Sequence, residues 1–214
     1  MKINFSWNLE TLGIIAPKQH GKTTLTKQIL KRVRKDKVFI LDSNLEYKEF
    51  KNAYIPNDYS VEELDNFIIR ARQNYNILVV LEDVDLYNCQ YSKEFKKLLI
   101  NGSHQNIGVI YTAKRVSTIP KLLLSETKHL FLGKFYIPND LNYLKAIVKN
   151  YEVLPKLEKG QFLYKNRDSQ EEKIVKIAIN YKFFKLFWQI SITRQWSQKS
   201  AEFKIVKRWL TFKK

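Results

Sequence analysis

Residues 16–24 read "APKQHGKTT". The closing Gly21-Lys22-Thr23 is how a phosphate-binding loop ends. In such a loop, backbone amides at a helix N-terminus cradle an anion and a lysine reaches its outer oxygens. The usual pattern is G-x-x-x-x-G-K-[ST], and Ala16 stands where the first glycine belongs. Alanine is tolerated at that turn if its φ stays negative, and is forbidden only if φ must be positive. The flanks supply the required context. "TLGIIA" (11–16) is a short apolar run that reads as a strand, and 22–34 puts Leu25, Ile29, Leu30 and Val33 on one helix face. Pro17, Lys18, Gln19, His20, Gly21, Lys22, Thr23 and Thr24 are therefore the expected phosphate-contacting stretch. Lys22 brings the catalytic charge, and the Thr23 hydroxyl is a ligand for Mg²⁺.

Working outward, apolar strands alternate with amphipathic helices. "KVFILD" (37–42), "NILVVLED" (76–83), "IGVIYTA" (107–113) and "KHLFLGKF" (128–135) read as strands. Residues 60–72, 92–102 and 139–151 read as helices, the first with Ser60 and Glu63 spaced as a capping box. "QFLYKN" (161–166) and "KIVKIAI" (173–179) read as a closing hairpin. The alternation predicts an α/β fold, a mainly parallel sheet flanked by helices, over residues 1–180. "YIPND" occurs at 54–58 and at 136–140. Both copies read as strand end, proline and an Asn/Asp helix cap.

The third strand ends in two adjacent carboxylates, Glu82 and Asp83. Phosphoanhydride hydrolysis needs one acid near the metal and one to orient or deprotonate the attacking water. A strand-end acidic pair beside the loop supplies both. Glu82 is assigned to the metal and Asp83 to the water, the exchange of the two roles satisfies the same pattern, and Asp85 is a reserve.

The chain has 38 basic and 21 acidic residues, a net charge of +17, which favours a polyanionic partner. One cysteine, Cys89, excludes an internal disulfide and reads as a passive thiol. His104 and His129 lack partners at metal-ligand spacing and read as surface or structural residues. No run approaches the ~18 apolar residues of a membrane span, and "MKINFSWNLE" lacks a signal-peptide core. An intracellular protein in the (host) cytoplasm is expected. From about residue 180 the chain carries nine Lys or Arg, one acid and three of its four tryptophans. Residues 181–214 thus read as a basic aromatic extension, suited to packing on the core, to nucleic acid, or to a lipid or capsid surface.

The pieces "APKQHGKTT", "VFILDSNLEY", "ILVVLEDVD", "GVIYTAKRVSTIPKLLLSETKHLFLGKF" and "NDLNYLKAI", spanning roughly residues 11–150, together resemble the FtsK–HerA superfamily of DNA-pumping P-loop ATPases, and within it the viral genome-packaging branch. That resemblance implies ATP and Mg²⁺ as cofactors, double-stranded DNA as partner, and a homo-oligomeric ring, expected to be a hexamer, that works with capsid or membrane proteins. It also implies an extra strand between the two Walker strands and an arginine donated by a neighbouring subunit. Arg115, Arg70 and Arg72 are candidates for that arginine, with Arg115 best placed at a strand end. Three motifs depart from the family pattern. Ala16 and Gln19 replace glycines, Glu82-Asp83 reverses the common acid order, and Ala113-Lys114-Arg115 replaces a phrase whose glutamine senses the terminal phosphate.

Overall fold

The computed structural model describes residues 4–177. The extension expected at 181–214 and the end of the 173–179 strand lie outside the described residues. Eight strands form one sheet: β1 (Thr11–Ile15), β2 (Val38–Leu41), β3 (Ala53–Tyr54), β4 (Ile77–Leu81), β5 (Ile107–Ala113), β6 (His129–Leu132), β7 (Gln161–Asn166) and β8 (Glu172–Lys176). Their order across the sheet is β3-β2-β4-β5-β1-β6-β7-β8. The pairings among β1 to β6 are parallel, while β6–β7 and β7–β8 are antiparallel. Every residue of β4, β5 and β6 is buried, as expected of strands covered on both faces. β5 lies between β1 and β4, so one strand separates the loop-bearing strand from the acid-bearing one.

Among the described residues five α-helices accompany the sheet: α1 (Lys22–Leu30), α2 (Val61–Arg72), α3 (Lys93–Asn101), α4 (Lys121–Glu126) and α5 (Pro138–Lys145). One face of the sheet packs against α2, α3, α4 and α5 through Leu64, Phe67, Phe95, Leu98, Leu123 and Leu144. The α-helical span from 22 is shorter than the periodicity predicts. After Leu30 the amides of Arg32 and Val33 bond three residues back, a tightened turn that still buries Val33. The α5 helix likewise stops at Lys145, and strand β6 ends at Leu132. Two short elements, β3 and α4, escaped the sequence reading because neither is long enough to show a period.

Neither copy of "YIPND" caps a helix with its Asn or Asp. In the first, Ser60 is the cap of α2, its Oγ accepting from the Glu63 amide at 3.2 Å. Asn57 and Tyr54 instead hydrogen-bond the Glu63 carboxylate, so the reciprocal half of the capping box is not made. In the second, Pro138 opens α5 with Ile137 as cap, which places Asp140 inside the first turn. His129 is structural: its ring is buried between Tyr164 Oη at 2.8 Å and Glu10 Oε2 at 3.0 Å. Burial pushes the Cys89 thiol up to about 12, so it is inert. His104 is exposed in the turn before β5.

The β1–β5 contact sets the height of the loop above the sheet. Gly13 is paired in register with Tyr111, whose ring lies where a Gly13 side chain would be; an added Cβ would meet Tyr111 Oη at 2.4 Å. The Tyr111 hydroxyl meets Thr127 Oγ1 at 3.0 Å. Gly13→Ala is therefore expected to displace the ring and lower stability by about 1–3 kcal/mol, read as a lower midpoint in urea unfolding at unchanged m-value.

Candidate nucleotide-binding site

The loop leaves β1 at Ala16, which is fully buried and whose φ is not positive. Its methyl group fits because the neighbouring strand exit carries Gly133: a Cβ there would lie 2.5 Å from Ala16 Cβ and 2.5 Å from His20 Cδ2. The Gly133 amide donates to the Ile15 carbonyl at 2.8 Å, holding β6 tight against the root of the loop. The strained position is Gln19, with φ 64°, where the family pattern has its other glycine. Gly21 takes φ 108°, open to glycine alone without strain. The first-turn amides of α1 have no helical acceptor, as at any helix start, and so remain donors for an anion.

Each residue of the loop has a distinct placement. Lys18 and Gln19 are exposed, and Pro17, Thr23 and Thr24 are half-buried. Lys22 is buried, and its ammonium folds back to donate to the Ala16 carbonyl at 3.1 Å. The His20 ring, expected from sequence among the phosphate contacts, is turned aside. It donates from Nε2 to the Gln161 carbonyl at 2.8 Å and packs edge-on against Phe162. Burial lowers its pKa, and Lys22, Lys134 and Lys159 lower it further, so it serves as a neutral anchor. The Gly160 amide also donates to the His20 carbonyl at 3.1 Å. The loop is thereby tied to the β7–β8 hairpin, and this tie has no signal in local sequence.

Glu82 and Asp83 follow β4 and stand at the same edge of the sheet as the loop. Both are buried. Asp83 has φ 48°, and its amide donates to Thr112 Oγ1 at 2.8 Å. Its carboxylate lies 3.8 Å from the Lys22 ammonium and 3.0 Å from that of Lys114, and Asn44 Nδ2 donates to it at 3.2 Å. Glu82 accepts from the Tyr47 hydroxyl on one oxygen and from Thr112 Oγ1 at 3.3 Å on the other. Asp85 accepts the Lys114 amide at 3.2 Å, and burial raises its pKa.

The electrostatics follow from burial. Desolvation lowers the Lys22 pKa, against the opposing charges of Asp83 and Glu82. Desolvation alone would also lower Lys114, but its hydrogen bond to Asp83 and that group's charge raise it. Burial pushes Glu82 up to about 7, with the charge of Asp83 adding to the effect and the Tyr47 hydrogen bond opposing it. Sequence reasoning missed Tyr47, Asn44 and Thr112. The first two sit in the bend after β2, which Asp42 builds by accepting the amides of Glu46 and Tyr47, both at 2.9 Å. Only the chain path shows that this bend lies over the acids.

Among the described residues no three His, Cys, Asp or Glu side chains converge as a metal cage. The donor set fits Mg²⁺ nonetheless, since that ion is commonly held by one or two carboxylates together with substrate phosphates. The Thr23 hydroxyl, Glu82 and Asp83, whose Oδ1 is buried without a hydrogen-bond partner, are the oxygens available to it. Of the arginine candidates, Arg115 lines a cleft with loop residues Pro17 and Lys18. Arg70 and Arg72 close α2 near the start of β4, at the opposite edge of the sheet; Arg72 is paired with Glu94 at 3.0 Å.

Fold and loop together define a P-loop NTPase fold of the kind with a strand inserted between the Walker strands. Solved structures share it. The DNA-packaging ATPase B204 of Sulfolobus turreted icosahedral virus matches with a TM-score of 0.68 at 19% identity, over 82% of this chain and 100% of that one. The genome packaging NTPase B204 of the related virus 2, in complex with ATP-gammaS, matches with a TM-score of 0.67 at 16% identity, over 82% of this chain and 100% of that one. EssC of Geobacillus thermodenitrificans (ATPases 2 and 3) matches with a TM-score of 0.58 at 16% identity, over 83% of this chain and 40% of that one. The fold implied by the resemblance is the fold observed. No family model matches the sequence, and no curated protein matches it.

Two outcomes test the site. Gly133→Ala should lower stability by about 1–3 kcal/mol and weaken binding of a fluorescent ATP analogue. Ala16→Gly in the same chain should restore part of both losses, because it removes one of the two clashing groups. For Glu82, the folded pKa lies above the unfolded value, so the folded state binds the extra proton. Stability is then lost as pH rises from 4.5 to about 7. Glu82→Gln should remove that loss, worth about 3 kcal/mol at full ionisation. Urea unfolding at pH 5 and pH 8 checks it, the variant's advantage growing with pH.

Proposed function

We propose that the chain is an ATP-hydrolysing motor of the FtsK–HerA kind that translocates double-stranded DNA, in the manner of viral genome packaging. The observation that carries this reading is the meeting of Lys22, Glu82 and Asp83 at one sheet edge, with Lys22 and Asp83 3.8 Å apart. The shared fold with a DNA-packaging ATPase supports it.

In this reading the first-turn amides of α1 and Lys22 bind the β- and γ-phosphates. Thr23 and Glu82 would hold Mg²⁺, which when bound would neutralise charge on the phosphate oxygens. Asp83 orients a water in line with the γ-phosphorus and accepts its proton. The new P–O bond forms as the bond to the β–γ bridging oxygen breaks, and the charge leaves on the diphosphate. Tyr47 and Thr112 hold Glu82 in place. A ring of copies, with a hexamer proposed, brings an arginine to each site across the subunit interface, and Arg115 is the proposed residue. Lysine-rich surfaces hold the DNA backbone without reading sequence. The proposed setting is the host cytoplasm, with a capsid as partner. No helix among the described residues is long and apolar enough to cross a membrane.

The pairing of Asp83 with Lys114 at 3.0 Å favours a second reading, a nucleotide-gated DNA-binding module with little turnover. Steady-state phosphate release with and without duplex DNA separates the two. DNA-stimulated turnover is expected, falling at least ~100-fold in Lys22→Ala and in Asp83→Asn. Nucleotide binding with no turnover under any DNA condition would leave the gated module.

A further inference from the structure

Beside the phosphate loop, on its outer side, a cleft of about 220 Å³ lies between the exits of β1, β5 and β6. Four of its lining residues are cations: Lys18, Lys114, Arg115 and Lys134. Lys114 is engaged by Asp83. Among the described residues Arg115 is engaged only through Nε, which donates to Asp140 Oδ2 at 3.4 Å. Its terminal nitrogens therefore keep their donors available. Lys18 and Lys134 have no acidic partner within ion-pair distance among the described residues. The one acid of the cleft, Asp140, is almost fully buried beneath Arg115, so it steers that arginine more than it shields the rim. Tyr136 stands at the rim, 68% exposed, beside the exposed Lys134. With Arg115 assigned to the neighbouring subunit's site, two ammonium groups without an acidic partner among the described residues and an exposed ring make a surface suited to a sugar–phosphate backbone, in which phosphates take the cations and the ring packs on a sugar or base.

We infer that this cleft is where the chain holds the backbone of duplex DNA, and that Lys134 and Tyr136 are contact residues outside the nucleotide machinery. The inference rests on the DNA-translocation reading and deepens it. Lys18 belongs to both the cleft and the phosphate loop, and Gly133, next to Lys134, packs on Ala16 and His20. A phosphate drawn against Lys134 is thus one residue from the packing that shapes the loop. The turn 31–37, which is also basic, lies at the opposite edge, where β2 begins, and has no such link.

The test is binding of a fluorescently labelled 30-base-pair duplex by the full chain across a salt series, for wild type, Lys134→Ala, Lys134→Glu, Tyr136→Ala and Lys31→Ala. Lys134→Ala should weaken binding about threefold and reduce the slope of log K against log salt by about 1. Lys134→Glu should weaken it about tenfold or more, and Tyr136→Ala several-fold at unchanged slope, as roughly expected of losing one ring contact. Lys31→Ala, at the far edge, should change little. Affinity for an ATP analogue, measured in parallel, should be unchanged in all four variants, which shows that they are folded. Equal losses from Lys134→Ala and Lys31→Ala, or none from either Lys134 variant, would overturn the cleft as the DNA site. So would a Lys134 variant that keeps its DNA affinity but loses inhibition by inorganic phosphate, which would mark a product site. Failure of the wild type to bind duplex at all would instead defeat the DNA reading itself.

Discussion

The Lys22 ammonium is buried, and a buried charge is tolerated only when opposite charge and hydrogen-bond acceptors surround it. Asp83 supplies the charge from β4 and the Ala16 carbonyl supplies the acceptor from the loop itself. For the two to meet, β1 and β4 must run in the same direction, one strand apart, with their exits level. The parallel register of β1 with β5 and of β5 with β4 provides that arrangement. The tyrosine ring laid over Gly13 and the glycine opposite Ala16 then set how closely the neighbouring strands approach the loop.

The loop is held from outside as much as from within. A phosphate loop with fewer glycines has less freedom to wrap an anion, and Gln19 takes a left-handed conformation that costs a non-glycine residue of order 1 kcal/mol. Here the surroundings impose the shape. His20 is drawn to the Gln161 carbonyl, Gly160 donates back to the loop, and Gly133 leaves space for the alanine methyl. A side chain at Gly21 would meet Ile177 at 2.8 Å, so the end of the β8 hairpin also abuts the loop. The antiparallel addition to the sheet therefore serves as a brace for the loop.

The acids show the same division of labour. Asp83 is held between two ammonium groups and an amide, which keeps it near the loop lysine. Glu82 is enclosed by a tyrosine and a threonine and has a carboxyl raised to about 7. Two adjacent carboxylates thus stand in different surroundings, a condition suited to giving them different tasks.

Much of this was legible in the sequence. The loop, the acidic pair, the strand–helix alternation and the cap at Ser60 are local patterns, set by backbone conformation and by apolar period, and they need only a few neighbouring residues to be read. The short elements β3 and α4, the early ends of α1 and α5, and the failure of both "YIPND" copies to cap are decided by competition between local preference and tertiary contacts. Glu63, for example, gives its carboxylate to Tyr54 and Asn57 rather than to the cap. The tertiary structure alone decided that Gly133 makes room for Ala16, that His20 turns away from the phosphate side, and that Tyr47 and Asn44 reach the acids. Each of those contacts joins residues far apart in the chain, and their meeting depends on the order of strands in the sheet, a property that no stretch of sequence contains.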